Sequence, residues 1–108
     1  MRELLEKLKD VMPSGWEVGM EKEMLFILEH PESGEMHYLA LAGGDRGLAP
    51  LTALLKQELA LRWHQFGVMY GEGQVYVETD AEAGLMYDTE FEAVALAYLS
   101  LRPKEANE

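Results

Sequence analysis

The sequence predicts a single α+β domain in which an antiparallel sheet is covered by helices. Three observations predict it. The 108 residues are 48% apolar, which is enough for one core. The patterns run in the order helix, three strands, helix, two strands, helix, which differs from the strict alternation of parallel α/β folds. The connections between successive strands are short, which favours antiparallel pairing. We expect the domain to cover residues 1–103 and a frayed tail to cover 104–108.

The first part of the chain predicts a helix and three strands. Apolar residues recur at helical spacing over residues 2–12, and Pro13-Ser14-Gly15 ends the pattern. Residues 16–20 then alternate between apolar and polar, as in a strand with one solvated face. Residues 24–28 form a continuous apolar run that suits a more buried strand, and residues 36–42 again have extended character.

The middle of the chain predicts the longest helix. The glycine-rich segment 43–47 is interpreted as a flexible turn, and Pro50 suits the first turn of a helix over residues 49–66. Gly67 is expected to cap that helix at its C-terminal end. The predicted core face of the helix consists of Leu48, Leu55, Leu59, Trp63 and Phe66.

The last part predicts a hairpin and a final helix. Residues 68–70 and 74–79 flank Gly71-Glu72-Gly73, whose glycines suit a tight turn. Thr89 and Glu92 match a capping box, which predicts a helix that continues through Leu101.

Two helix faces exceed what a small core needs. Leu54 and Leu61 fall outside the core face of the middle helix, so they pack between layers of the domain, are simply exposed, or form a contact surface. Residues 93–101 carry no charge, so the final helix needs cover from more than one side, either from the first helix or from a second subunit. We expect a homodimer that uses Leu54 and Leu61 with help from Leu96 or Leu99.

Composition excludes several classes of function. There are 20 acidic and 9 basic side chains, and the net charge of −11 argues against nucleic acid and anionic membranes as ligands. The absence of Cys excludes disulfides, a thiol nucleophile and thiolate zinc sites. The start of the chain lacks an apolar signal region, and no apolar run is long enough to cross a bilayer, so we expect a cytoplasmic protein.

Acidic residues are concentrated in the second half, where no Lys or Arg occurs between Arg62 and Arg102. This acidic segment either keeps the protein soluble or forms a docking surface for a basic partner. Its members are Glu72, Glu78, Asp80, Glu82, Asp88, Glu90 and Glu92.

No motif nominates a catalytic, cofactor or metal site. Asp45-Arg46 precedes a helix, as in an anion site, but lacks the Gly-Lys-Ser/Thr ending of a P-loop. His30 and His37 flank a turn and could approach one another with Glu32 or Glu35, yet solvent-exposed turn histidines are the commoner case. His64 is expected on a polar helix face. The acidic loop around Gly84 has too few oxygen ligands at alternate positions for a calcium site.

The element order resembles the fold shared by the type III secretion chaperones and the YbjN-like proteins. The segments that carry the resemblance are Leu4–Leu8, Phe26–Leu28, Tyr38–Leu41, Leu54–Leu59, and Arg62–Tyr70 leading into Gln74–Glu78. The resemblance spans nearly the whole chain at the level of pattern. It implies a non-enzymatic, commonly dimeric module that binds a protein segment, in the chaperones through apolar grooves.

The sequence therefore favours a small acidic interaction protein, chaperone-like or regulatory, whose partner has a basic or apolar segment. The alternative is a phage-type inhibitor or nucleic-acid mimic whose carboxylates block the basic cleft of a target protein. A third reading, a small enzyme, would need His37, His64 and carboxylates to come together. Salt separates the first two, because a phosphate mimic loses affinity steeply as ionic strength rises.

Overall fold

The helices and strands occur in the order that the sequence predicts, with one additional short helix. The computed structural model describes residues 2–13, 15–22, 24–62, 66–79 and 86–101. The elements are α1 (Arg2–Lys9), β1 (Glu17–Lys22), β2 (Leu25–His30), β3 (Glu35–Ala40), α2 (Gly44–Gly47), α3 (Ala49–Arg62), β4 (Phe66–Gly71), β5 (Gln74–Thr79) and α4 (Glu90–Leu101). The α+β class is confirmed. The predicted tail, residues 104–108, lies outside the described residues.

Strands β1, β2 and β3 form an antiparallel meander in which β2 is central. The apolar residues of one face are buried, namely Val18, Phe26, Leu28 and Leu39. Helix α1 contacts β1, and helix α3 contacts β3. Because side chains of a strand alternate between faces, these helices cover the buried face, which we call the inner face, and the other face is the outer face.

Strands β4 and β5 form a second, two-stranded antiparallel sheet. Gly71 pairs with Gln74, so Glu72 and Gly73 are the central residues of the turn. Their φ angles are 52° and 78°, and two positive values are what a type I′ turn requires. Tyr87 exchanges two backbone hydrogen bonds of 2.8 Å with Val75, which ties the segment before α4 to this hairpin.

The core lies between the inner face, the hairpin and helices α3 and α4. Leu51, Leu55 and Leu59 are fully buried on one side of α3, and Leu48, which directly precedes the helix, is fully buried as well. Three of them belong to the predicted core face, whereas Leu51 was not among its expected members. Helix α4 contacts α3, β5 and α1. The cover that the uncharged stretch of this helix needs therefore comes from other elements of its own chain.

Two local predictions are wrong. Segment 43–47 is expected to be a flexible turn. In the structure Gly43 ends a 3₁₀ turn that covers Leu41–Gly43, and the remaining residues of the segment form α2. A Cβ on Gly47 would meet the carbonyl oxygen of Ala40 at 2.1 Å, so glycine there permits close packing.

Helix α3 ends at Arg62, so Gly67 is not its cap and Phe66 is not on its core face. Both residues lie in β4, where Phe66 pairs with Thr79 and Gly67 with Glu78. The pairing with β5 outweighs the helical spacing of the preceding residues. Trp63 and His64 lie outside the described residues. Within the part that the structure describes, no helix combines the length and apolarity needed to cross a bilayer.

Candidate protein-binding groove

A groove opens beside α3, between that helix and the end of the inner face that the helix leaves uncovered. Its volume is about 410 Å³. The lining residues are Trp16, Leu28, Glu35, His37, Ala49, Pro50, Ala53, Leu54 and Gln57. We call this site the α3 groove. Its floor includes Leu28, which is otherwise buried in the core.

The groove exists because of which residues stand along α3. The core leucines turn one side of the helix toward the sheet, while Ala49 and Ala53 occupy an adjacent side and are too short to fill the space beside it. Leu54 is half-buried and packs against the core. An apolar wall with little side-chain bulk is thus held next to an apolar floor.

Trp16 forms one end of the groove and is held by the turn between β2 and β3. Its ring meets that of His30 edge to face, with the centroids 5.0 Å apart. The Nδ1 atom of His30 accepts a hydrogen bond of 3.2 Å from the backbone N–H of Ser33. Gly15 permits this arrangement, since a Cβ at that position would lie 2.5 Å from His30 Nε2. The indole is therefore fixed in place before any partner binds.

A second depression of about 410 Å³ also has Trp16 in its lining, together with Gly15, Glu17, Pro31 and Glu32. The two depressions share the indole. Among the residues that the structure describes, their combined lining includes the carboxylates of Glu17, Glu32 and Glu35 and no Lys or Arg. A ligand around Trp16 thus meets an apolar surface with a negative rim.

His30 and His37, which could approach one another across the turn, have different contacts in the structure. His30 pairs with Glu35 in the strand register, whereas His37 pairs with Leu28, and His30 contacts Trp16 instead. The Nε2 atom of His37 lies 2.8 Å from Oε2 of Glu35, both side chains being partly exposed. In the described part of the chain no three His, Asp or Glu side chains are grouped closely enough to hold a metal ion.

The four leucines of the expected contact surface have different environments. Leu61 is 77% exposed, and Leu54 lines the α3 groove. Neither belongs to the fully buried row of leucines on α3, but Leu54 still packs against the core whereas Leu61 does not. Leu96 and Leu99 are half-buried on α4, and Leu99 packs against the core.

The acidic residues of the second half differ in how far their side chains are exposed to solvent. Glu72, Glu78 and Asp88 are exposed. Glu90 is half-buried, and its carboxylate is 2.7 Å from Lys56 Nζ. Glu92 belongs to the capping box, in which its backbone N–H donates to Thr89 Oγ1 over 3.2 Å. Asp80 and Glu82 lie outside the described residues.

Asp45 has a role that sequence reasoning missed. Its carboxylate accepts hydrogen bonds of 2.9 Å from the backbone N–H groups of Glu90 and Phe91. It therefore caps the N-terminus of α4 from α2, and the segment that resembles an anion site supplies an anion of its own. The only sequence signal was an acidic residue in a short glycine-rich segment.

Tyr70 lies next to this cap. Partial desolvation raises the pKa of its phenol, and the charge of Glu90 and a hydrogen bond to that carboxylate raise it further, while Lys56 lowers it. Tyr70 of β4, Lys56 of α3 and Glu90 of α4 therefore make polar contacts with one another. Together with the cap from Asp45, these contacts hold α4 in place.

No protein-family model, curated protein or solved structure matches this chain. The site itself is therefore the basis for a functional conclusion. An apolar groove with a fixed aromatic ring and a negative rim is equipped to bind a side chain or segment, and its described lining contains no Ser, Thr, Tyr or Lys nucleophile.

Proposed function

We propose that this protein is an acidic, cytoplasmic, non-enzymatic interaction module, chaperone-like or regulatory, that binds a protein segment in the α3 groove. The segment combines apolar side chains with Lys or Arg. The apolar side chains lie against Leu28, Leu54 and Trp16, and the cations face the negative rim.

The observation that carries this proposal is the composition of the groove around Trp16. A rigid indole presents a large contact area at little entropic cost, which suits an anchor for a partner side chain. Glu17, Glu32 and Glu35 exclude acidic segments and speed the association of basic ones.

We also propose that the module is a homodimer whose contact includes Leu61. Its large exposure supports a covered surface. Leu61 does not line the α3 groove, so a contact between two copies through Leu61 leaves that groove open to a segment.

The alternative function, inhibition of a basic cleft by phosphate mimicry, is supported by the net charge alone. It differs from segment binding in its dependence on salt. Binding through the groove keeps a large apolar contribution at high ionic strength, whereas mimicry of phosphates does not.

The test is selection of linear peptides from a displayed random library on the immobilised protein. We expect enriched peptides to contain an aromatic or aliphatic residue near Lys or Arg. Ala53→Arg should weaken their binding about tenfold or more, because the side chain fills the groove and neutralises its rim. Ala53 is exposed on a helix, so the fold tolerates arginine there.

The matched control is Ala60→Arg, the same change at an exposed position of α3 that does not line the groove. It should bind the selected peptides as the wild type does. Equal binding by wild type and Ala53→Arg would refute the groove as the site. Binding that vanishes at moderate salt, together with equal effects of the two variants, would favour the phosphate-mimic alternative.

A further inference from the structure

The outer face of the meander carries a second apolar surface. Gly19, Ile27 and Tyr38 form one cross-strand row, and Glu29 and Met36 belong to the next. Directly paired residues of antiparallel strands project on the same side, so these side chains share the outer face. Tyr38 is 60% exposed and Met36 is 49% exposed, which shows that this face is not covered as the inner face is.

The two sides of the outer face differ in charge, because the side formed by β3 is apolar and the side formed by β1 is acidic. Tyr38 and Met36 make the β3 side apolar. The β1 side is acidic, because a depression of about 170 Å³ over Gly19 and Ile27 is bordered by Glu17, Glu21 and Glu29. A Cβ on Gly19 would meet no atom within 4 Å, so the depression is open to a side chain from outside.

One relationship on this face is unfavourable in the isolated molecule. Glu17 is directly opposite Glu29 in the register of β1 and β2, and both are exposed. Like charges that face each other across two strands destabilise a sheet. A cation placed between them would remove the repulsion, so the face favours a positively charged occupant.

The dimensions of the face match one helix. A six-residue strand such as β2 is about 20 Å long, and three strands span about 10 Å between the outer two. A helix of about 13 residues has this length, and its diameter is about 10 Å. The occupant buries side chains rather than adding a strand, because the face presents side chains and not free backbone groups.

We propose that the outer face docks a basic amphipathic helix of another protein. The apolar stripe of that helix covers Ile27, Met36 and Tyr38, and a Lys or Arg beside the stripe enters the depression over Gly19. The stem of that side chain lies on Ile27, and its cation lies among the carboxylates. This site differs from the α3 groove, which uses the inner side of the same sheet, although Glu17 contributes its carboxylate to the border of both.

The test measures binding of a labelled amphipathic helical peptide of about 14 residues, built from Leu at helical spacing and Lys elsewhere, by fluorescence anisotropy. A peptide with Glu in place of Lys is the charge control. We expect the Lys peptide to bind and the Glu peptide not to bind. Circular dichroism and thermal unfolding establish that each protein variant is folded.

Two matched pairs of variants locate the site. Glu29→Lys and Glu78→Lys make the same charge change at exposed strand positions, on the outer face and on β5 respectively. Met36→Glu and Met69→Glu make the same change at similarly exposed methionines of β3 and β4. The first member of each pair should weaken binding about tenfold, and the second should change it less than about twofold.

Equal losses for Glu29→Lys and Glu78→Lys would show that the peptide senses only net charge, and equal effects of Met36→Glu and Met69→Glu would show that Met36 is not in the site; either result would make the proposal wrong. Ala53→Arg should leave this peptide's affinity within about twofold of the wild-type value; a full loss would place the helix in the α3 groove instead. A wild-type dimer that Met36→Glu converts to a monomer would show that a second copy, and not a basic helix, covers the face.

Discussion

The carboxylate of Asp45 lies 2.9 Å from the backbone nitrogen of Phe91 and accepts its hydrogen bond. The other oxygen of the same carboxylate accepts a hydrogen bond from the backbone N–H of Glu90. The hydroxyl oxygen of Thr89 accepts one from the backbone N–H of Glu92. Three of the free N–H groups in the first turn of α4 are thereby satisfied by two side chains, one local and one distant in sequence. Because α4 contacts α1, α3 and β5, this cap supports the whole core.

Asp45→Ala should lower the free energy of unfolding by about 1–2 kcal/mol, since two donors lose their acceptor and the helix dipole loses a compensating charge. Asp45→Asn should lose less, because its amide oxygen still accepts a hydrogen bond. Urea denaturation measures both. Asp10→Ala, at an exposed position after α1, is the control and should change stability by less than about 0.5 kcal/mol. Equal stabilities of wild type and Asp45→Ala would contradict the role of this cap.

The contrast between the two caps shows what the sequence can and cannot reveal. Thr89 and Glu92 are three positions apart, so their pairing is visible in the sequence; Thr89 Oγ1 accepts from the Glu92 backbone N–H as predicted, and the Glu92 carboxylate accepts from the Thr89 hydroxyl. Asp45 is 45 positions from Glu90, and no local pattern connects them. The position of Gly47 against Ala40 likewise depends on packing between elements.

The same reasoning applies to strands and to the groove. Alternation of apolar and polar residues predicts the meander, because each strand buries one face. The helical spacing predicts a helix that includes Phe66 and ends at Gly67, but both residues pair with β5, and this pairing between distant segments is not visible in the local pattern. The α3 groove could not be foreseen, because it is a gap between Ala53 and Leu28, which come from different elements.

The phenol of Tyr70 should titrate above the usual range. Its pKa is raised by partial desolvation and then by Glu90, and lowered by Lys56. Glu90→Gln should therefore lower this pKa, and Lys56→Met should raise it. Absorbance titration at alkaline pH measures it as the difference between each protein and its Tyr70→Phe counterpart. A pKa unchanged by Glu90→Gln would contradict the contact.

The sign of the linked stability change follows from that direction. The folded state holds the phenolic proton to higher pH than the unfolded chain, whose tyrosine pKa is about 10. The stabilisation is fully present below about pH 10 and is lost as pH rises through the folded-state pKa. Tyr70→Phe should show a smaller loss of stability in that alkaline range.

The turn between β4 and β5 should gain stability from a residue that tolerates a positive φ. Glu72 has a φ of 52°, where Asn is favoured and β-branched residues are strained. Glu72→Asn should add about 0.5 kcal/mol, and Glu72→Val should remove about 1 kcal/mol. Thermal unfolding should show the two variants shifted in opposite directions from wild type. A more stable Val variant would rule out the type I′ assignment.

Leu61→Glu should convert the proposed homodimer to a monomer without unfolding it, because the side chain is exposed. Multi-angle light scattering measures the mass, and circular dichroism checks the fold. Met24→Glu, a change at another exposed apolar residue, should remain dimeric. A monomeric wild type at high micromolar concentration would refute the dimer. A Leu61→Glu variant that remains dimeric would place the contact elsewhere.

The contact between α1 and α4 sets the order in which the chain can fold during its synthesis. Leu5 and Leu8 of α1 are fully buried, and the hydroxyl of Tyr98 in α4 donates to the carbonyl of Val11 just after α1. Helix α4 leaves the ribosome after every other described element. The meander, whose pairings are local, can form early, but α1 has no complete binding site until translation reaches Tyr98. A nascent chain that still lacks α4 would leave the apolar side chains of Leu5 and Leu8 without their full cover, as targets for chaperones and proteases.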